Sequence, residues 1–245
     1  MFNSETTVRE VALQIPESTR LFERLKIDYC CGGNQALADA CASAGIDFGS
    51  VMQTLGEMTQ PNSEATGIPD LRNATLPELI EHILNTHHVF TKSEMDRLDA
   101  LTAKVINAHG TNHPELIQLG ELFKRLCADL KPHMFKEEQV LFPYIIAMAR
   151  AAEQDQPGPF APFGTVNNPI RMMLKEHDIV GEILRELRAL TSDYGVPADA
   201  CISYQTLYKA LENFESDLHQ HIHLENNLLF PKALEMENAL NRSHV

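Results

Sequence analysis

One eleven-residue pattern occurs twice in this chain of 245 residues, and it limits the fold more than any other feature. The pattern H-x-x-x-E-x-x-x-L-F-P starts at His133 and again at His221, which places Glu137 and Glu225 at its fifth position. Residues four apart on an α-helix lie about 40° apart around its axis, so each copy offers an imidazole and a carboxylate on one face. The two copies therefore describe two halves of a metal site.

Another histidine precedes each copy at a matched distance. His88 lies 45 positions before His133, and His177 lies 44 positions before His221. We therefore expect two helical hairpins, each with one histidine on its first helix and a His-x-x-x-Glu pair on its second. Packing the two hairpins together would place four imidazoles and two carboxylates around one interior.

A plainer interpretation exists for these residues. An isolated His-x-x-x-Glu pair is usually an exposed pair at helix positions i and i+4. The duplication, the shared Leu-Phe-Pro and the matched upstream histidines favour a metal site instead. Helical periodicity does not separate His88 from its neighbour His87, which shares the side of Ile80 and Ile83. The remaining histidines are expected on other helix faces or in loops (His82, His109, His113, His219, His223 and His244).

The ligand set indicates the kind of metal. A structural zinc site closes with four ligands, commonly including cysteine, and needs no duplicated set. Six ligands that mix imidazoles with carboxylates able to bridge suit two octahedral ions such as iron or manganese. If Glu137 and Glu225 both bridge, each ion receives two imidazoles and two carboxylate oxygens. One position is then left for a bridging oxo or hydroxo group and another for an exogenous ligand.

Long amphipathic segments without a competing strand pattern predict an all-α fold. We expect a small helical domain over residues 1–60, a linker rich in turn-forming residues over 61–74, and a four-helix bundle over 75–245. A long irregular crossover over residues 150–168 joins the two hairpins. Pro132 is expected to break or kink the second bundle helix, because proline cannot donate the i→i−4 hydrogen bond.

Cys30 and Cys31 are adjacent and precede two glycines in a loop of the small domain. A disulfide between neighbouring cysteines is strained, so a structural bridge is not expected. Lys26 lies nearby in sequence and would favour a thiolate. Redox chemistry, metal handling, a partner contact and simple burial of two small residues remain open for this pair. The other cysteines are expected to be inert core residues (Cys41, Cys127 and Cys201).

The charge and composition exclude several classes of protein. A formal net charge of −14 without a basic stripe argues against nucleic-acid binding. No apolar run approaches the ~18 residues that span a bilayer, and the N-terminus lacks the pattern of a signal peptide. Five cysteines, an odd number without an export signal, indicate a reducing cytosol rather than a disulfide framework. We expect a cytoplasmic protein without a membrane or nucleic-acid partner.

Four motifs together resemble those of the RIC family, the iron–sulfur cluster repair di-iron proteins. These motifs are the Asp-Tyr-Cys-Cys-Gly-Gly run over residues 28–33, the two copies of the repeat, and the Glu-His-Asp run over 176–178. The family joins a small N-terminal domain that carries the cysteines to a hemerythrin-like four-helix bundle. The resemblance covers nearly the whole chain.

The resemblance implies a di-iron centre and assigns its ligands. The terminal iron ligands would be His88, His133, His177 and His221, and the bridging ligands would be Glu137 and Glu225. This assignment selects His88 over His87. Asp129 and Glu176 lie at positions where the family tends to carry acids near the iron site. The implied cofactor is a pair of non-haem iron ions with an oxo or hydroxo bridge.

The family's implied function is repair of iron–sulfur clusters damaged by nitric oxide or oxidants. Iron released from a labile di-iron centre would pass to an apo-cluster or a scaffold, with Cys30 and Cys31 as candidate participants. This is a donor role rather than an enzymatic one. Two alternatives remain: a reductase of nitric oxide or peroxide, and a module that binds or senses dioxygen or nitric oxide. An exposed Cys-Cys loop would also allow a homodimer through the small domain.

Overall fold

The computed structural model describes residues 2–59 and 70–243. Its N-terminal unit contains four short helices: α1 (Val8–Gln14), α2 (Ser18–Leu25), α3 (Leu37–Ala44) and α4 (Phe48–Met58). These described ranges contain no β-strand, only an isolated bridge between Thr7 and Ala36. The all-α prediction is confirmed. Most of the predicted linker, residues 61–69, lies outside the described residues.

Four long helical rods form the second unit. The first bundle helix consists of α5 (Leu76–His82), π1 (Ile83–His88) and α6 (Val89–His109), and the second of α7 (Glu115–Lys136), π2 (Glu137–Leu141) and α8 (Phe142–Glu153). The third is α9 (Asn167–Leu190), and the fourth consists of α10 (Ile202–Leu224), π3 (Glu225–Leu229) and α11 (Phe230–Ser243). At one end α6 packs against α7 and α10, and α7 packs against α9. At the other end α8 packs against α5 and α11.

Local sequence signals fix several helix ends. Thr7 caps α1 and Thr75 caps α5, each in a reciprocal capping box with a glutamate three residues later. Such caps satisfy backbone N–H groups that have no partner within the helix, and each stabilises its helix by about 1 kcal/mol. Gly45 ends α3 at a φ of 70°, a left-handed conformation that glycine adopts without strain.

Two apolar clusters fill the bundle and leave a polar layer between them. One cluster surrounds Phe123 and Phe214 on α7 and α10. The other surrounds Phe142 and Phe230, at the opposite ends of the same two bundle helices. The predicted metal ligands lie between these clusters along all four bundle helices. Water is therefore excluded from this layer on both sides.

Three π-turns lie at the level of this polar layer: π1 ends at His88, π2 begins at Glu137 and π3 begins at Glu225. A π-turn adds one residue to a helical turn and is frequent at functional sites. In the second bundle helix, the repeated Leu-Phe-Pro marks the point where the π-turn ends and the next α-helix begins. Because Pro143 lacks an N–H, it fits the first turn of the new helical register that starts at Phe142.

Of the break or kink predicted at Pro132, the break is wrong. Helix α7 continues through Pro132 to Lys136. Pro132 lies on the exposed side of the helix, where water can hydrogen-bond the carbonyl that a proline leaves without a donor. His133 is therefore presented on a continuous helix. No helix in the described ranges combines the length and apolarity needed to cross a bilayer.

Candidate metal centre

The structure brings all six predicted metal ligands together in the polar layer. Each is at most 2% exposed (His88, His133, Glu137, His177, His221 and Glu225). They form two overlapping groups, and within each group the ligand atoms lie within 4.8 Å of one another. One group contains His88 and His221, the other contains His133 and His177, and both glutamates belong to both groups. Each group thus takes one imidazole from each hairpin.

Each glutamate directs its two oxygens to different groups. Glu137 Oε1 lies 3.2 Å from His133 Nε2, and its Oε2 lies 3.4 Å from His88 Nε2. Glu225 Oε2 lies 3.1 Å from His177 Nε2, and its Oε1 lies 3.1 Å from His221 Nε2. Two ligand atoms on neighbouring corners of an octahedral ion with bonds of about 2.1 Å lie about 3 Å apart. These spacings fit two ions bridged by both carboxylates.

The hydrogen bonding of the layer also fits a pair of cations. Both oxygens of Glu137, Oε2 of Glu225 and Nε2 of His88 are buried without a hydrogen bond. A buried carboxylate without a partner is strongly unfavourable, so such groups are normally neutralised by ion pairing or by a metal. Imidazole nitrogens together with carboxylate oxygens suit iron or manganese. The donor set and its unpartnered atoms therefore match a dinuclear site of this type.

The electrostatics keep the two carboxylates ready for cations. Burial and the negative charge of Glu225 oppose ionisation of Glu137, but His133 and His88 outweigh them and lower its pKa. Burial opposes protonation of His133, whereas Glu137 and Glu176 raise its pKa to about 10. Imidazolium protons can thus balance the carboxylates when metal is absent. Metal ions must displace these protons, because a ligating histidine is neutral.

Three of the four imidazoles are anchored through Nδ1, the ring nitrogen that faces away from Glu137 and Glu225. His88 Nδ1 lies 2.7 Å from Glu138 Oε1, and His133 Nδ1 lies 2.8 Å from Glu176 Oε2. His177 Nδ1 lies 2.8 Å from Asn226 Oδ1. Such contacts fix the tautomer and orientation of a ligating imidazole and raise its basicity. His221 Nδ1 is buried and has no hydrogen bond.

Comparison of the chain with known proteins shows the family to which it belongs. Residues 79–233 match the hemerythrin HHE cation binding domain, and residues 4–59 match the ScdA_N domain, which is described as a domain of unknown function. The chain is 32% identical over 232 residues to the iron-sulfur cluster repair protein ScdA of Staphylococcus haemolyticus, covering 95% of this chain and 99% of the relative. It belongs to this family of iron–sulfur cluster repair proteins.

Two bacterial members show the same full-length similarity. The YtfE repair protein of Dickeya chrysanthemi is 34% identical over 238 residues, which cover 97% of this chain and all of the relative. That of Musicola paradisiaca is 35% identical over 239 residues, with the same coverage. The resemblance to the repair family and to a hemerythrin-like bundle is confirmed. The HHE domain and the clustered His and Glu residues support non-haem iron binding.

The two acids expected near the predicted metal ligands, Glu176 and Asp129, differ in their contacts with His133. Glu176 contacts His133, as the family resemblance implied. Asp129 is exposed and forms no hydrogen bond to His133, whose Nδ1 atom faces α9. Sequence reasoning missed Glu138 and Asn226. Their signal was available, since each directly follows the glutamate of one copy of the repeat.

His87 is buried beside the centre, although it does not belong to either ligand group. Its ring stacks on that of His221 with centroids 5.6 Å apart and an angle of 7° between the planes. Its Nδ1 atom lies 3.0 Å from Asp217 Oδ1. Periodicity could not separate His87 from His88 because the π-turn that contains both residues buries both of them.

The Cys-Cys loop packs directly behind one of the predicted ligands. Cys31 Sγ lies 3.7 Å from the carbonyl oxygen of His177. Asn226, whose Oδ1 anchors His177, donates from Nδ2 to the carbonyl oxygen of Cys30 at 3.2 Å. Cys30 is buried and Cys31 is half-buried, so the two cysteines do not form the exposed loop that would have allowed a homodimer.

Tyr29 holds this loop on the fourth bundle helix. Its hydroxyl accepts a hydrogen bond from Gln220 at 2.8 Å and donates to Glu23 at 2.9 Å. Its carbonyl oxygen accepts from Asn227 at 3.2 Å. A cavity of about 190 Å³ remains between the two units, and both Cys30 and Cys31 line it.

The thiols differ from the sequence expectation. Lys26 pairs with Asp193 rather than with the cysteines. Cys30 and Cys31 are both free, with their sulfur atoms 3.8 Å apart. The hydrogen bond to Cys31, burial and the Asp28 carboxylate raise the pKa of Cys30, so Cys30 is a thiol at neutral pH. Cys201 is exposed rather than part of the core.

Proposed function

We propose that this protein holds two non-haem iron ions, joined by an oxo or hydroxo bridge, and repairs damaged iron–sulfur clusters by donating iron. The observation that carries the proposal is the pair of overlapping ligand groups that share Glu137 and Glu225. The names of its relatives, which are iron–sulfur cluster repair proteins, support the repair role. Iron in this proposal is cargo as well as cofactor, and the clients are damaged or apo iron–sulfur proteins or a scaffold.

The proposed roles of the six residues follow from their geometry. His88 and His221 would hold one iron, and His133 and His177 the other. Glu137 and Glu225 would bridge the pair, since each directs one oxygen to each group. Bound iron would supply a redox-active centre with a coordination position open to dioxygen or nitric oxide. Apolar clusters on both sides of the layer would keep bulk water from the ligands.

We also propose that Cys30 and Cys31 take part in handling the iron. Cys31 lies behind His177, and both thiols line the cavity between the two units. A thiol is a suitable ligand for iron in transit, once it has lost its proton.

The two units are proposed to be a cysteine domain over residues 1–60 and a hemerythrin-like domain over residues 75–245, joined by a linker over residues 61–74. Five free cysteines favour a reducing compartment, and we place the protein in the cytoplasm.

A transfer experiment tests the donor role. The protein is loaded with two equivalents of iron, oxidised to the di-ferric state, and mixed anaerobically with an apo iron–sulfur protein, sulfide and a thiol reductant. We expect cluster absorption to appear in the acceptor as iron leaves the donor. The control is a double variant, Glu137→Gln with Glu225→Gln, given the same total iron. Catalytic consumption of nitric oxide without iron transfer would contradict the donor role and favour the reductase.

A further inference from the structure

The contacts around the centre follow an approximate two-fold repeat. The residue after each bridging glutamate anchors the histidine of the other helix in its hairpin: Glu138 anchors His88, and Asn226 anchors His177. The residue before His177 is Glu176, and it anchors His133. By the same symmetry, the residue before His88 should anchor the Nδ1 atom of His221.

That residue is His87, and it breaks the symmetry. Its ring stacks parallel to that of His221 instead of accepting the Nδ1–H of His221. Its own Nδ1 atom is engaged by Asp217 at 3.0 Å. His221 Nδ1 is left as a buried nitrogen without a hydrogen bond, on a residue that is 1% exposed. The ring of His221 is positioned by stacking and edge contacts with His87 and His88.

The two ligand groups are therefore supported unequally. His133 and His177 each have an oxygen acceptor on Nδ1, whereas only His88 has one in the other group. Loss of one such contact typically weakens metal binding by about 10–100-fold. The donors are otherwise alike, since the two imidazole pairs have the same centroid separation of 4.9 Å and share both glutamates.

We propose that the two irons are not equivalent and that the iron held by His88 and His221 is the one that leaves first. The iron held by His133 and His177 stays behind. This inference rests on the proposed function, because it concerns which iron of a donor is given up. It assigns to His87 the role of a positioning residue that makes one half of the centre labile.

Metal occupancy tests the order directly. Protein loaded with two equivalents of ferrous iron is treated anaerobically with a chelator until one equivalent remains, and is then crystallised. We expect anomalous diffraction at the iron edge to show iron between His133 and His177 and depletion between His88 and His221. Equal occupancy, or the opposite depletion, would overturn the proposal. No acceptor protein is involved, so a failure of iron donation leaves this measurement intact, and the reverse also holds.

A pair of mirror-image substitutions tests the cause. In the wild-type protein we expect chelation in two phases of equal amplitude whose rates differ by about 10-fold or more. His87→Gln offers His221 an amide acceptor and should slow the fast phase. Glu176→His removes the carboxylate that accepts from His133 Nδ1, so both groups would then contain one unanchored imidazole. The rate of the slow phase should rise toward that of the fast phase. Unchanged rates in a folded Glu176→His protein would contradict the role of Nδ1 anchoring, even if His87→Gln failed to fold.

Discussion

The Nδ1 atom of His177 lies 2.8 Å from the Oδ1 atom of Asn226. The amide of Asn226 also donates to the backbone of the Cys-Cys loop, so one side chain connects a predicted iron ligand to the small domain. A shift of the loop backbone can therefore move Asn226 and, through it, the imidazole of His177. Sequence reasoning had treated the two domains separately, and this contact links them.

Replacing Asn226 with alanine should weaken the centre and loosen the loop together. His177 would lose its Nδ1 acceptor, and we expect metal affinity in its group to fall by about 10–100-fold. Competition with a chelator measures the affinity. Asn238→Ala, on the exposed side of α11, is the matched control and should leave affinity unchanged. If both variants retained wild-type affinity, the anchoring role of Asn226 would be refuted.

Removing both of the carboxylates proposed to bridge, Glu137 and Glu225, should prevent a dinuclear centre from forming. In the Glu137→Gln and Glu225→Gln double variant, four imidazoles remain but no side chain offers an oxygen anion to both groups. We expect the absorption bands of an oxo-bridged di-ferric centre to be absent after loading and oxidation. Each single variant should retain partial binding, since one bridge persists. Full bands in the double variant would rule out the bridging assignment.

Gly181 tests the contact between the loop and the bundle. A Cβ atom added at Gly181 would lie 3.8 Å from Cys31 Sγ, an ordinary van der Waals distance. We expect Gly181→Ala to be tolerated and to stabilise α9 by about 0.5–1 kcal/mol through helix propensity. The longer side chain of Gly181→Leu should displace the loop and speed the reaction of Cys30 with a thiol reagent. Equal thiol reactivity in the two variants would show that the loop does not depend on this contact.

Cys201 should be reactive at neutral pH. Backbone N–H groups at the start of α10, with Tyr204 first, and the imidazole of His109 at 3.1 Å lower its pKa to about 7. Because the thiolate is the nucleophile, its alkylation rate should rise with pH and reach half its maximum near pH 7. Burial raises the pKa of Cys127 to about 11, so that thiol should react slowly over the same range. Mass spectrometry of iodoacetamide-treated protein measures both rates.

His109→Ala provides the control for this prediction. Without the imidazole, we expect the half-maximal pH of Cys201 alkylation to move upward, toward the ordinary thiol range. The helix N-terminus would still favour the thiolate, so the shift should be partial. An unchanged pH profile would mean that His109 does not contribute.

Much of the candidate centre could be predicted because ligand chemistry repeats in the chain. A duplicated pattern identified His133, Glu137, His221 and Glu225, and matched spacing identified His177. Periodicity alone could not choose between His87 and His88, because it assumes 3.6 residues per turn and a π-turn does not obey that period. The family resemblance supplied that choice.

Other features depend on tertiary packing that no local pattern encodes. The continuity of α7 through Pro132 depends on which side of the helix meets solvent. The thiol state of Cys30 depends on the bundle that buries it, which local sequence around Lys26 does not reveal. The pairing of one histidine from each hairpin within each ligand group likewise arises only when the hairpins pack.

Because of the three π-turns, this centre depends on the number of residues in the bundle helices as well as on their identity. Each is equivalent to one extra residue inserted into a helix without breaking it. Deleting a single residue from Glu137–Leu141, other than Glu137, would leave all six ligands in the chain. It would nevertheless replace the π-turn by an ordinary α-turn, so α8 would keep its orientation while the local backbone that presents Glu137 would change. Single-residue deletions within a π-turn should therefore impair the centre even when they remove none of its ligands.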